Sequence, residues 1–174
     1  MSTPTWDEIW LELGITSDLV RSCRLPLQEE ATGLVTAGLD VFEREQFVKP
    51  QTLACWQAMR SAAERDGITL LIVSAYRSVE YQCQLIRGKL IKGQSIEDIV
   101  RVSAIPGFSE HHSGRAIDIT TDDCKPLEEE FDETQAFEWL ESNASKFDFV
   151  MSYPKDNPFK IIYEPWHWAC QRIE

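Results

Sequence analysis

Residues 109–118 read Ser-Glu-His-His-Ser-Gly-Arg-Ala-Ile-Asp. Their last four residues begin a short segment, 115–120, that is typical of a buried strand. Alternation along such a strand places the two isoleucines on one face and Asp118 on the other. A carboxylate in a partly buried place needs a cation or several hydrogen-bond donors beside it. Because Gly114 lets the backbone turn sharply, His111, seven positions before Asp118, can approach that carboxylate.

An imidazole and a carboxylate that converge in this way indicate a metal site. Zinc binds both kinds of atom, and its catalytic sites commonly combine three protein ligands with water. His167 is the one histidine outside the 111–112 pair. The sequence therefore predicts that His111, Asp118 and His167 bind one zinc ion per chain. His112 would be the ligand instead if the register shifted by one residue, and Cys170 offers a thiolate close to His167.

A second carboxylate lies in residues 164–168, which read Glu-Pro-Trp-His-Trp. On a regular strand Glu164 and His167 would point in opposite directions, because they are three positions apart. Pro165 disfavours a regular ladder, so a turn there can bring both side chains to one side. A carboxylate beside a zinc site can accept a proton from water and pass it on. Glu164 is therefore the predicted general base.

Three segments together resemble a known family. Residues 109–118 match the Ser-x-His-x-x-Gly-x-Ala-x-Asp motif of the VanY-like D-alanyl-D-alanine carboxypeptidases, which are zinc peptidases. Residues 164–168 are similar to the family's second motif. Residues 74–78, Ser-Ala-Tyr-Arg-Ser, with Gln82 beyond them, resemble its upstream arginine segment. The segments occur in the family's order and span roughly residues 70–170.

The resemblance implies that His111, Asp118 and His167 bind zinc and that Glu164 is the catalytic base. The phase of the first motif favours His111 over His112, and the family uses no cysteine ligand.

The resemblance also implies a substrate site. Arg77 would hold the substrate or stabilise the developing oxyanion, while Ser109 and Gln82 would help to bind a terminal carboxylate. Independently of the family, a planar guanidinium suits a carboxylate because it can form two parallel hydrogen bonds with it.

The implied reaction is removal of a C-terminal D-amino acid, D-alanine, from a peptidoglycan stem peptide. An L,D-carboxypeptidase, a D,D-dipeptidase and an endopeptidase such as a phage lysin are alternatives on the same scaffold. A zinc-stabilised binding module without hydrolysis is an alternative from another class, and Glu164 argues against it.

The expected fold is α+β, similar to the Hedgehog/DD-peptidase fold, with a small, mostly antiparallel sheet and packed helices. We expect one domain, 1–174, made of a helical N-terminal segment, residues 1–66, and a core that carries the motifs, residues 67–174. Local patterns predict helices near residues 5–13, 37–46, 50–67, 78–92, 95–102 and 137–147, and strands at 68–73, 115–120, 149–153 and 160–163.

Composition limits the partners and the compartment. The 17 Lys and Arg residues against 29 Asp and Glu give a formal net charge of −12, which disfavours nucleic acids and anionic lipids.

No apolar run approaches the ~20 residues that cross a bilayer, so we expect no integral membrane association. The sequence shows no basic segment followed by an apolar one at its start, so we expect a cytoplasmic protein; a removed leader or cell lysis would bring it to the wall. Five cysteines without a Cys-x-x-Cys pair indicate reduced thiols.

Overall fold

The computed structural model describes residues 5–172. Helix α1 (Trp6–Glu12) begins at Thr5, whose hydroxyl accepts the backbone N–H of Glu8 while the Glu8 carboxylate accepts the backbone N–H of Thr5. This reciprocal capping confirms the first predicted helix. A second short helix, α2 (Ser17–Ser22), follows.

Residues 37–46 belong to a hairpin, and the helix predicted there is wrong. Strands β1 (Val35–Leu39) and β2 (Glu45–Val48) pair antiparallel. Asp40 builds the turn, because its Oδ1 accepts two backbone N–H groups of the turn at 2.8 and 3.0 Å. Such bonds from a short polar side chain favour a turn over a helix, and β2 alternates exposed and buried residues. The N-terminal segment before the motif-bearing core is therefore not wholly helical.

The next four elements follow the predictions. They are α3 (Pro50–Arg65), β3 (Leu71–Ser74), α4 (Val79–Ile91) and α5 (Ile96–Val102). The hydroxyl of Ser78 accepts a backbone N–H of the first turn of α4 at 3.0 Å and so caps that helix. Strand β3 begins later than its apolar run does, because the first residues of the run lead out of the turn that ends α3.

A short 3₁₀ helix (Glu110–Ser113) precedes β4 (Ala116–Thr120). Between them, Gly114 adopts a left-handed conformation with φ of 67°. A Cβ at this position would lie 2.9 Å from a methyl carbon of Leu34, so both the conformation and the space require glycine. The sharp turn predicted at Gly114 is confirmed.

The last third of the described chain contains five elements. They are a 3₁₀ helix (Glu129–Glu133), α6 (Gln135–Asn143), a 3₁₀ helix (Ala144–Phe147), β5 (Phe149–Met151) and β6 (His167–Cys170). The strand predicted at 160–163 is wrong. There the side chain of Asn157 accepts the backbone N–H groups of Phe159 and Ile161, and these bonds hold a loop in place of a strand. Strand β6 was not predicted.

Four strands form an antiparallel sheet in the order β3-β4-β6-β5. The central strand β4 places Asp118 opposite Ser74 on one side and opposite His167 on the other. Apolar residues of β4, including Ile117 and Ile119, join a core built with α3 and α6. This α+β architecture, with small antiparallel sheets and packed helices, confirms the predicted fold class.

The N-terminal helices pack against the loop that precedes the first motif. Leu13, which follows the last residue of α1, shares a second apolar cluster with residues of α4 and α5 that include Ile86 and Ile99. The indole N–H of Trp10 donates to the carbonyl of Pro106 at 2.9 Å, which fixes the chain just before the first motif. Within the described residues, no helix combines the length and apolarity that crossing a membrane requires.

Candidate metal centre

The structure brings His111, Asp118 and His167 together, with one potential ligand atom of each lying within 4.8 Å of the others. All three side chains are buried. Asp118 and His167 are directly paired residues of β4 and β6, so their side chains lie on the same face of the sheet. His111 reaches this face from the 3₁₀ helix. Its Nε2 lies 3.2 Å from Asp118 Oδ2, and Nδ1 of His167 lies 3.1 Å from Asp118 Oδ1.

The orientation of His111 suits a cation. Its Nδ1–H donates to the carbonyl oxygen of Ala75 at 2.6 Å, so Nε2 of the neutral ring presents a lone pair. Burial lowers the pKa of His111, although the charge of Asp118 opposes this shift. Two acceptors, the Nε2 lone pair and a carboxylate oxygen, therefore face each other at 3.2 Å. Tetrahedral zinc ligation at ~2.0–2.1 Å separates neighbouring ligand atoms by about 3.3 Å, so the residues fit this ion.

His167 lies between two carboxylates. Its Nδ1 faces Asp118, and its Nε2 lies 2.8 Å from Oε2 of Glu110. Burial opposes the charged ring, but the hydrogen bonds to Asp118 and Glu110 raise the pKa of His167 to about 10. Burial likewise opposes the charge of Asp118, yet His111 and His167 hold the pKa of that carboxyl well below its ordinary value. Sequence reasoning missed Glu110, because its position beside His111 does not reveal a contact with residue 167.

The two alternative ligands lie outside this cluster. His112 is fully buried, its Nδ1–H donates to the carbonyl of Arg77 at 2.6 Å, and its Nε2 accepts the N–H of Gly107 at 3.2 Å. Both ring nitrogens are therefore used within the fold. Cys170 is buried in β6 beside Phe149 of β5. Neither residue offers an atom to the group of three.

Glu164 approaches the cluster through a turn. The N–H of His167 donates to the carbonyl of Glu164 at 3.1 Å, which closes a four-residue turn with Pro165 in its second position. The turn places Oε2 of Glu164 3.7 Å from Nδ1 of His167. Burial raises the pKa of Glu164 to about 7, and Asp118 adds to this shift while His167 opposes it. The geometry thus brings both side chains to one side, as the sequence predicted.

A cleft of about 370 Å³ opens onto the cluster. Predicted site residues that line it are Arg77, Ser109, His111, Asp118, Glu164 and His167. The hydroxyl of Ser109 faces this space and makes no hydrogen bond to any residue within 5–172. The cleft therefore joins the potential metal ligands to a guanidinium and a hydroxyl that can contact a substrate.

Gln82 lies behind Arg77 and does not line the cleft. Its side chain is fully buried, with Oε1 accepting from Nη1 of Arg77 at 3.0 Å and Nε2 donating to the carbonyl of Ala104 at 2.7 Å. The sequence-based expectation was a contact with the substrate carboxylate. The structure instead favours a role for Gln82 in orienting Arg77.

Lys89 is a cleft residue that sequence reasoning missed. It lies seven positions after Gln82, on the same face of α4, and its Nζ donates to the hydroxyl of Ser103 at 2.6 Å. Burial lowers the pKa of Lys89, and the charge of Arg77 lowers it further. Within the described chain, neither Lys89 nor Arg77 forms an ion pair with a carboxylate. The cleft of this acidic protein therefore has a positively charged end.

Comparisons with known proteins give the same family as the motifs. A model of the VanY D-alanyl-D-alanine carboxypeptidase family matches residues 45–171. A D-alanyl-D-alanine carboxypeptidase of Enterococcus faecalis is 30% identical over 128 residues, which cover 68% of this chain and 46% of the relative. The chain spans about half the length of the curated relatives it matches.

Two solved structures extend the similarity to the fold. The LD-carboxypeptidase LdcB superposes with a TM-score of 0.73 and 30% identity, covering 83% of this chain and 71% of LdcB. A mutant of the D,D-pentapeptidase VanY in complex with Zn(II) gives a TM-score of 0.63 and 25% identity, covering 81% of this chain and 79% of VanY. Because the family match spans most of the sequence and includes every predicted site residue, the chain belongs to the VanY D-alanyl-D-alanine carboxypeptidase family.

Proposed function

We propose that this protein is a zinc-dependent carboxypeptidase that removes the C-terminal D-alanine from peptidoglycan stem peptides. One observation carries the proposal: the buried cluster of His111, Asp118 and His167 shares a cleft with Arg77, whose guanidinium forms no ion pair with a carboxylate of residues 5–172. A metal-binding site and a site that binds a carboxylate, both lining one cleft, are what hydrolysis of a terminal peptide bond needs. The Zn(II) complex of the related VanY supports the choice of metal.

The three clustered residues would hold the zinc ion through His111 Nε2, an Asp118 oxygen and His167 Nδ1. A bound zinc ion supplies Lewis acidity for hydrolysis of a peptide bond. Glu164 lies beside the cluster and accepts the proton that the attacking water loses. As the carbon–nitrogen bond breaks, Glu164 returns a proton to the leaving amine, so that the products are a shortened peptide and free D-alanine.

The positive end of the cleft recognises the free terminus. Arg77 donates from Nη1 to Gln82 and from Nη2 to Ser74, and its remaining N–H groups would bind the terminal carboxylate. Lys89 adds a second positive charge, and the free hydroxyl of Ser109 supplies a further hydrogen bond. Since the negative charge of the terminus is lost when it is blocked, a peptide amide should bind poorly.

A second candidate differs in the bond that is cut. LdcB, which superposes on this chain, is an LD-carboxypeptidase, so cleavage of an L,D bond, as in a tetrapeptide that ends in D-alanine, is the alternative to be tested. The name of the Enterococcus relative and the VanY family match favour the pentapeptide, which ends in D-alanyl-D-alanine.

Mass spectrometry of defined peptides tests the proposal. The zinc-loaded protein is incubated with a stem pentapeptide, the corresponding tetrapeptide and a pentapeptide with an amidated C-terminus. We expect loss of one D-alanine from the free pentapeptide and none from the amide. Cleavage of the tetrapeptide alone would support the second candidate. Release of the intact D-alanyl-D-alanine dipeptide, or no cleavage of any peptide, would overturn the carboxypeptidase assignment.

A matched variant separates hydrolysis by this protein from contamination and from a non-catalytic zinc module. Glu164→Gln keeps the size of the side chain but removes its ability to accept a proton. We expect it to bind zinc as the wild type does and to lose turnover by ~10²-fold or more. Undiminished turnover of Glu164→Gln would refute the role of Glu164.

A further inference from the structure

Glu110 lies against the metal cluster, but it offers no atom to the group of three. Its Oε2 lies 2.8 Å from Nε2 of His167, on the side of the ring opposite to Asp118. The hydroxyl of Ser152 donates to the same carboxylate oxygen at 2.6 Å. Ser152, Glu110 and His167 therefore form a hydrogen-bonded chain that ends at the proposed metal site. We infer that Glu110 is a positioning residue that keeps His167 Nδ1 directed at the metal, with Ser152 holding Glu110; this inference rests on the proposed function.

The chemistry of imidazole gives the reason. Only a ring nitrogen without a proton can bind a metal ion, and the hydrogen bond at the other nitrogen decides which one that is. A carboxylate can only accept, so its bond to His167 requires a proton on Nε2. Nδ1 is then left for the ion. A turned ring would lose the bond to Glu110 and would present the wrong nitrogen to Asp118.

The two histidine ligands are held by different kinds of group. His111 donates to the backbone carbonyl of Ala75, which no side-chain substitution removes. His167 depends on a side chain, and this side chain is only 20% exposed, so water competes weakly with its hydrogen bond. The ring of Tyr153 covers one face of the imidazole, with 4.6 Å between the ring centroids. Glu110 is therefore the group through which the orientation of His167 can be changed experimentally.

Zinc affinity is the measurement that tests this role. Dissociation constants are determined by competition with a chromophoric chelator for the wild type and for Glu110→Ala, Glu110→Gln and Ser152→Ala. Loss of such a partner typically costs ~10–100-fold in metal affinity, and we expect this for Glu110→Ala. Glu110→Gln should recover some of the affinity, because its amide oxygen still accepts from Nε2–H. Ser152→Ala should weaken binding less than Glu110→Ala does.

Two controls distinguish positioning from general damage. Glu129→Ala removes an exposed carboxylate from a 3₁₀ helix and should leave zinc affinity unchanged. The visible spectrum of the cobalt-substituted protein reports ligand geometry, and we expect it to change in Glu110→Ala but not in Glu129→Ala.

The outcomes for the inference and for the proposed function are separable. If the wild type binds no zinc, the proposed function fails and the inference fails with it. If the wild type binds zinc and Glu110→Ala binds it equally well, the inference alone is overturned. Should Glu110→Ala not fold, Glu110→Gln and Ser152→Ala decide: unchanged affinity and an unchanged cobalt spectrum in both would reject the inference, and a loss in either would support it.

Discussion

Alanine substitutions of the two adjacent histidines are expected to affect different properties: His112→Ala should lower stability, and His111→Ala should weaken zinc binding. His112 is fully buried and bonds the carbonyl of Arg77 and the N–H of Gly107. His112→Ala leaves both backbone groups without these partners, at ~1–3 kcal/mol each, so we expect a loss of about 2–6 kcal/mol in the free energy of unfolding. In a chain of this size each kcal/mol lowers the melting temperature by ~2–4 °C, which gives a drop of roughly 10 °C. Zinc content should stay at one ion per chain.

His111→Ala should instead remove the metal. Zinc sites in folded peptides bind with apparent energies of ~10–16 kcal/mol, which corresponds to about 3 kcal/mol for each of four ligand positions. Loss of the Nε2 ligand should therefore weaken binding by roughly a hundredfold or more. The variant also loses the hydrogen bond to Ala75, so a smaller fall in stability, about 1–2 kcal/mol, is expected.

Both proteins are loaded with zinc, dialysed in parallel and analysed for bound metal by mass spectrometry. Thermal unfolding in the presence of a chelator then compares the two folds without the contribution of the ion. The assignment of His111 is refuted if His112→Ala loses its zinc while His111→Ala keeps a full equivalent. Equal metal loss in both variants, with the wild-type melting temperature retained, would show that His112 serves metal binding and not the stability of the fold.

Substitutions at three further residues test the cleft and the hairpin. Arg77→Met should raise KM for the free-acid peptide by ~10-fold or more, as steady-state kinetics will show, and the amidated peptide should stay uncleaved by both the variant and the wild type. Lys89→Met should raise KM severalfold with kcat little altered, whereas Lys89→Arg should not. Burial would raise the pKa of Asp40, but hydrogen bonds from the backbone N–H groups of Arg44 and Phe42 and from the Arg44 side chain lower it overall. Asp40→Asn should thus lower the free energy of unfolding by ~1–3 kcal/mol at pH 7, and urea titrations should show this difference shrinking below about pH 4, as the wild-type carboxylate becomes protonated.

The sequence predicted the metal cluster because two of its members are close in the chain. His111 and Asp118 are joined by a short turn whose glycine is visible in the sequence, and His167 is the one histidine outside the adjacent residues His111 and His112. The third proposed ligand, His167, is close to Asp118 because the two residues are directly paired between β4 and β6. That register depends on long-range packing, and β6 itself was not predicted from the sequence. The residue was therefore found by elimination and by the family motif, without knowledge of the strand pairing.

The errors have a common physical origin in side chains that bond to nearby backbone. Asp40 accepts two N–H groups and makes a hairpin turn within a segment predicted as a helix. The side chain of Asn157 likewise accepts two backbone N–H groups, and it holds a loop where the last strand was predicted. The role expected of Gln82 was also altered by contacts, because the positions of Arg77 and of the Ala104 carbonyl become visible only in the folded chain. Apolar periodicity contains no information on any of these bonds.

A chain of hydrogen bonds connects the hairpin, which the sequence did not predict, to the metal cluster. Oδ2 of Asp40 accepts from the amide of Gln46 at 2.8 Å, and Oε1 of Gln46 accepts the backbone N–H of Ala75 at 2.9 Å. The carbonyl of Ala75 then accepts from His111 at 2.6 Å.

Each proposed ligand thus has a support of its own: His111 bonds Ala75 beside the hairpin, Asp118 lies on the central strand, and His167 bonds Glu110. Ordering a flexible side chain on binding costs about 0.5–1.5 kcal/mol, and ligands that are already held avoid most of this cost. The residues before β3, which contain no motif of the family, therefore contribute to the site by fixing the peptide that orients its first histidine.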